Sequence, residues 1–182
     1  QRMSQLTIYR HDNPAQHTFD SHDPALIAQQ LSHIGVRFEQ WQASHNITDD
    51  MNQDDIIEAY QADITRLKAA EGYQTVDVIS LAKGNPNAAQ LREKFLFEHT
   101  HSEDEVRFFV KGQGLFCLHL HEQVFQVLCQ QGDLISVPKN TPHWFDMGSD
   151  PEFSAIRLFD NQEGWVATST ESEIAKRFPL ID

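Results

Sequence analysis

The stretch Glu98-His99-Thr100-His101-Ser102-Glu103-Asp104-Glu105-Val106-Arg107 decides the fold. In an extended segment side chains alternate with period two, so His99 and His101 point to one side. Glu105 and Arg107 share that parity, with a polar bend over Ser102-Glu103-Asp104. A third imidazole, His143, arrives from Pro142-His143-Trp144 after a proline corner. Three neutral nitrogens and one anionic oxygen are a donor set for a divalent first-row transition metal, with two positions of an octahedron left open. An isolated His-x-His pair says little, and His119-Leu120-His121 repeats the spacing with no carboxylate following at the matching distance. The opening stretch differs because its spacing continues. His99-x-His101-x3-Glu105-x6-Gly112 is followed by Gly132-x5-Pro138-x-Asn140-x2-His143.

Outward from this stretch the texture is strands only, from Glu105 to about Phe159. Val106, Phe108 and Val110 alternate with Arg107, Phe109 and Lys111, and Gly112-Gln113-Gly114 is expected to turn the chain. Leu115–Leu120 and Val124–Cys129 form the next pair, joined near His121-Glu122. Leu134–Val137, Trp144–Met147 and Phe153–Phe159 complete the set, with corners at Gly132-Asp133 and at Pro138 to Pro142. Many short strands with Gly and Pro corners indicate an antiparallel sandwich or barrel.

Upstream, Leu6–Tyr9, Val36–Glu39 and Val76–Leu81 read as strands. Ser21-His22-Asp23-Pro24 opens a helix that Gly35 stops. A second helix follows Asp49-Asp50, with Ile56, Ile57, Tyr60, Ile64 and Leu67 on one stripe up to Gly72. A third starts at Asn85-Pro86 and runs to Phe95. His11, His17, His22, His33 and His45 follow no ligand spacing and read as surface residues. The tail from Asn161 is expected to pack Trp165, Ile174, Phe178 and Leu180 back on the barrel. One domain over 1–182 is expected: strands and helices over 1–97, a metal-binding barrel core over 98–160, and a tail over 161–182. Gln1-Arg2 precede a natural-looking start at Met3-Ser4 and carry no argument.

The net charge is −13 at neutral pH, and no basic stripe is interleaved with aromatics. A phosphate backbone would be repelled, which speaks against nucleic acid as a partner. No apolar run approaches the length of a membrane span. Cys117 and Cys129 sit in apolar strand-like surroundings, as buried free thiols do, and a reducing cytoplasm is expected.

The two-part pattern ending at His143 is the signature of the cupin superfamily, and the resemblance implies a mainly β fold: a double-stranded β-helix, or jelly-roll barrel, with two or three peripheral helices. Asn140 stands where the pattern commonly has glycine, and Asn tolerates the left-handed conformation such a turn asks for. A sharper likeness covers nearly the whole chain. Glu98 to Val110 with Gly112 and Gly114-Leu115-Phe116, Leu134 to Pro138, Thr141 to Asp146, Ile156 to Phe159 and Val36 to Trp41 resemble the acireductone dioxygenases of methionine salvage.

That resemblance implies His99, His101, Glu105 and His143 as ligands of one Fe(II) or Ni(II) per monomer, other divalent metals being possible. It implies roles for Glu98 in metal incorporation, for Asp104 in relaying conformational change, and for Arg107 in forming the substrate dianion. The implied substrates are 1,2-dihydroxy-3-oxo-5-(methylthio)pent-1-ene and dioxygen, with a product set that depends on the metal. Phe95, Phe145 and Trp165 are candidate walls for the methylthio tail, ordinary barrel packing being as good an account of each taken singly. Two rival readings are another cupin oxygenase and a non-catalytic cupin that binds a small ligand. The family suggests a monomer.

Overall fold

A computed structural model describes residues 3–182; Gln1 and Arg2 lie outside the described residues. In chain order the elements are β1 (Gln5–Arg10), β2 (His17–Ser21), α1 (Pro24–Ser32), β3 (Arg37–Gln40), α2 (Gln53–Ala59), α3 (Gln61–Glu71), β4 (Thr75–Leu81) and α4 (Ala88–Phe95). Then come β5 (His99–Thr100), β6 (Glu105–Leu120), β7 (Gln123–Gln130), β8 (Asp133–Val137), β9 (His143–Asp146) and β10 (Phe153–Phe159). A 3-10 turn over Gln162–Trp165, β11 (Thr168–Ser169) and a second 3-10 turn over Ile174–Arg177 end the chain.

The expected turn at Gly112 does not form. β6 continues through it for 16 residues and serves two ladders. Its first half pairs antiparallel with β10 and β8, and its second half with β7 and β9. Gly112 bends the strand instead of ending it. Its φ is +68°, and a Cβ there would lie 1.9 Å from the carbonyl oxygen of Glu152. Only glycine lets the two backbones approach this closely. One ladder runs β11-β5-β9-β6-β7-β1-β2, and the other joins β4 to β10, β10 to β6, β6 to β8 and β8 to β3. This is a cupin β-barrel with helical additions, four α-helices in all among the described residues.

The core divides along these faces. Phe109, Phe116, Leu118, Phe125, Ile135 and Phe145 fill the interior beneath α1. Val106, Phe108, Val110, Ile156 and Leu158 face outward, where Ile56 of α2, Ile64 and Leu67 of α3 and Tyr60 between the two helices cover them. A buried Phe or Leu contributes about 1.5–3 kcal/mol against exposure, so both faces need covering. The tail packs Ile174 and Phe178 on Tyr9, Cys117 and Trp144, but Leu180 is exposed and Ile181 is the residue packed against that cluster.

Local corrections have local causes. The second helix is two, broken at Tyr60 (φ −108°, ψ 22°), whose buried hydroxyl accepts from the backbone N–H of His45. The helix after Asn85-Pro86 begins at Ala88, because the Asn85 side chain accepts from Asn87 N–H in a preceding turn. At α1 the expected cap and first-turn proline are present: Asp23 accepts from Ala25 N–H and Pro24 opens the helix. Asn140 takes φ +63°, the conformation its corner requires.

Gly112→Ala is expected to lower the unfolding free energy by more than about 2 kcal/mol, adding a backbone collision to the left-handed strain. Gly72→Ala, at φ +78° with nothing within 4 Å of the added carbon, meets the strain alone and should cost about half as much. Urea denaturation of both variants measures the difference; equal losses would mean that the Glu152 contact is immaterial.

Candidate metal centre

His99 stands on β5, His101 just beyond it, Glu105 at the start of β6 and His143 at the start of β9. The β5–β9 ladder sets His99 directly opposite His143. One nitrogen from each of His99, His101 and His143 can be chosen so that all three lie within 4.8 Å of one another. Glu105 Oε1 lies 3.6 Å from His143 Nε2 and 3.9 Å from His101 Nε2. Each ring is oriented through its other nitrogen: Nδ1 meets the carbonyl oxygen of Phe97 for His99 (2.7 Å), of Val166 for His101 (3.1 Å) and of Thr141 for His143 (2.8 Å). A carbonyl only accepts, so Nδ1 carries the proton and Nε2 keeps its lone pair. Among the described residues, Glu105 Oε1, His143 Nε2 and Arg107 Nε are buried polar atoms without a hydrogen-bond partner. Buried atoms of this kind require an explanation, and a divalent cation suits the two acceptors.

Arg107, also buried, donates through one terminal nitrogen to Glu105 Oε2 at 2.8 Å and lies 5.0 Å from the centroids of both Phe116 and Phe145. Phe116 stacks on His143 at 5.1 Å and 14°. Phe145 is fully enclosed, with Phe95 of α4 meeting its ring edge-on at 6.4 Å. Trp165 is half-buried on another side, 5.9 Å from Phe159, which in turn is 5.6 Å from the His101 ring. The three aromatic residues named from sequence therefore reach the centre in two groups.

Asp104 is not a free loop charge: its carboxylate accepts from Lys139 N–H at 2.7 Å, tying the loop between His101 and Glu105 to the corner that leads to His143. Glu98 is 4 % exposed and accepts from Thr170 Oγ1 and His119 Nδ1. His119 is no ligand of the cluster, yet it is not idle, and His11 is half-buried with Nδ1 3.0 Å from His119 Nε2. Reading His11 as a surface residue is thus corrected. Sequence reasoning also missed the carbonyls of Phe97, Thr141 and Val166, which no residue type announces.

The ARD/ARD′ family matches residues 5–167. A protein of Yersinia enterocolitica named acireductone dioxygenase is 56% identical over 180 residues, covering 99% of this chain and 100% of its own. One of Alcanivorax borkumensis with the same name is 56% identical over 175 residues, covering 96% and 97%. The chain belongs to the acireductone dioxygenase family. Among solved structures, acireductone dioxygenase from Bacillus anthracis with a cadmium ion in its active centre superposes with a TM-score of 0.77 at 34% identity, covering 91% of this chain and 97% of that one. Family membership makes the chain a dioxygenase, and its histidine cluster makes it a metal-binding cupin.

In this member of the family, electrostatics prepare the centre. Burial holds His99 and His101 below the ordinary imidazole value and pushes His143 down to about 3, so all three stay neutral at physiological pH. Burial alone would raise the Glu105 carboxyl, but the Arg107 guanidinium beside it, which also donates it a hydrogen bond, holds it well below the usual carboxylate range. An imidazole neutral in the fold and charged in the unfolded chain makes the unfolded chain bind more protons. Stability then rises with pH between the two values and is fully present above about 6.5. The metal-free protein is expected to lose on the order of 2 kcal/mol between pH 7 and pH 5 for His143 alone. Urea midpoints across that range measure it; a flat profile would mean that the ring is charged in the fold.

Proposed function

We propose that this chain catalyses the dioxygen-dependent cleavage of the acireductone 1,2-dihydroxy-3-oxo-5-(methylthio)pent-1-ene in methionine salvage, with His99, His101, Glu105 and His143 holding one Fe(II) or Ni(II). With iron the products are 4-methylthio-2-oxobutanoate and formate; with nickel they are 3-methylthiopropanoate, formate and carbon monoxide. The single observation that carries the reading is the buried cluster in which His143 Nε2 and Glu105 Oε1 face each other at 3.6 Å, both unpartnered, beside the unpartnered Nε of Arg107. Bound there, the metal would supply a Lewis-acidic, redox-capable centre able to take an oxygen-donor substrate.

The chain's own residues supply the rest. Glu105 and Arg107 cancel each other's charge, so the donor set by itself is neutral overall. With a divalent cation held there its charge would be +2, which a dianionic enediolate would neutralise. Arg107 has one N–H committed to Glu105 and leaves Nε–H for an oxygen of the substrate. Phe116, Phe145 and Phe159 exclude water around these charges, which strengthens every electrostatic contact among them. Phe95, Phe145 and Trp165 are the walls assigned to the methylthio tail. Glu98 and Asp104 support the centre from behind, through Thr170 and His119 and through Lys139. A single domain, a monomer and a cytoplasmic location belong to the same reading.

Aerobic loss of synthetic acireductone absorbance with iron- or nickel-reconstituted protein tests the proposal, and no acceleration with either metal would sink it. His143→Ala should lose most of the bound metal and at least about a hundredfold in kcat/KM. His121→Ala, on an exposed turn, should change neither; equal losses from both would put the ligand set elsewhere.

A further inference from the structure

We infer that His119 is a positioning residue of the metal centre, bracing the two ligand-bearing segments against each other from behind. The inference rests on the proposed ligand set. β5 is two residues long and makes one residue pairing with β9 and two with β11. So short a strand cannot fix the place of two imidazoles by its own ladder. Something else must hold it.

His119, near the end of β6, does so at two points. Its backbone N–H donates to the carbonyl oxygen of Pro142 at 2.9 Å, one residue before His143. Its side-chain Nδ1 donates to Glu98 Oε2 at 2.6 Å, one residue before His99. One residue thus grips both ligand segments, each at the position immediately preceding a ligand. The other oxygen of Glu98 accepts from Thr170 Oγ1 at 2.7 Å, and Thr170 N–H donates to the Glu98 carbonyl at 3.1 Å. The buried carboxylate is satisfied at both oxygens, so its place is well determined.

Hydrogen-bond logic sets the rest. Glu98 can only accept, so Nδ1 of His119 carries a proton, and in the neutral ring Nε2 is then an acceptor. His11 Nδ1, 3.0 Å away, supplies the matching donor. The brace therefore draws on the residue just before β5, on β6, on the tail at Thr170 and on the turn after β1. Glu98 and His99 are consecutive in extended backbone and point to opposite sides, so the brace does not enter the coordination shell. It acts on where His99 and His143 sit, not on the metal.

Metal affinity and ligand geometry are the readouts. His119→Phe should weaken Ni(II) binding by about tenfold or more in competition with a chromophoric chelator, the range known for partners behind metal ligands. The ligand-field bands of the Co(II)-loaded protein should shift in the same variant. His119→Asn, whose amide N–H can stand where Nδ1–H does towards Glu98, should recover most of the affinity. Thr170→Val, which removes the donor to the other Glu98 oxygen, should weaken Ni(II) binding in the same direction, and it decides the matter if His119→Phe does not fold. Unchanged affinity and unchanged Co(II) bands in a folded variant would overturn the inference, whether or not its metal-free melting temperature falls. A wild-type protein that binds no Ni(II) would instead overturn the ligand set, and the brace with it.

Discussion

Burial of three imidazoles whose Nδ1 protons are already committed is the interaction on which the rest of this structure depends. Desolvation keeps His99, His101 and His143 neutral, and the carbonyls of Phe97, Val166 and Thr141 choose the tautomer. Both conditions come from the barrel. An exposed His-x-His pair would titrate near neutrality and rotate freely, whereas here each Nε2 lone pair is held toward a shared point before any ion arrives.

A buried carboxylate among these rings would be costly alone. Glu105 is tolerated because Arg107 lies two residues on, on the same side of the strand, and hydrogen-bonds to it. The pair stands on β6, the strand common to both ladders among the described residues. β6 therefore delivers the carboxylate and guanidinium at one end and His119 near the other, 14 residues later, with the Gly112 bend between them. Its length looks wasteful as packing and is what lets one strand touch both the ligands and the residues behind them.

Much of this was legible locally. Period-two alternation placed His99, His101, Glu105 and Arg107 on one side, and the Asn140 corner needed only the known tolerance of Asn for positive φ. Covering helices followed from their apolar stripes. The misreadings share a cause. Gly112-Gln113-Gly114 has the composition of a turn, and only the folded neighbours, the Glu152 carbonyl against Gly112 and the Phe145 ring against Gly114, explain why glycines stand in mid-strand. Tyr60 continues a helical stripe, but its hydroxyl is tied to His45, and the helix breaks there.

The sequence by itself determined the spacing of the candidate donors and the antiparallel strands that carry them, because alternation and turn chemistry act over a few residues. Tertiary structure alone decided which histidines matter beyond the ligands. His119 looked like an accidental copy of the ligand spacing and His11 like a surface residue. His119 meets Glu98, and His11 meets His119, only because segments about 20 and 110 residues apart converge behind β5. Hydrogen bonds between such segments leave no period in the sequence, since each partner is set by where the chain has folded and not by what lies next to it.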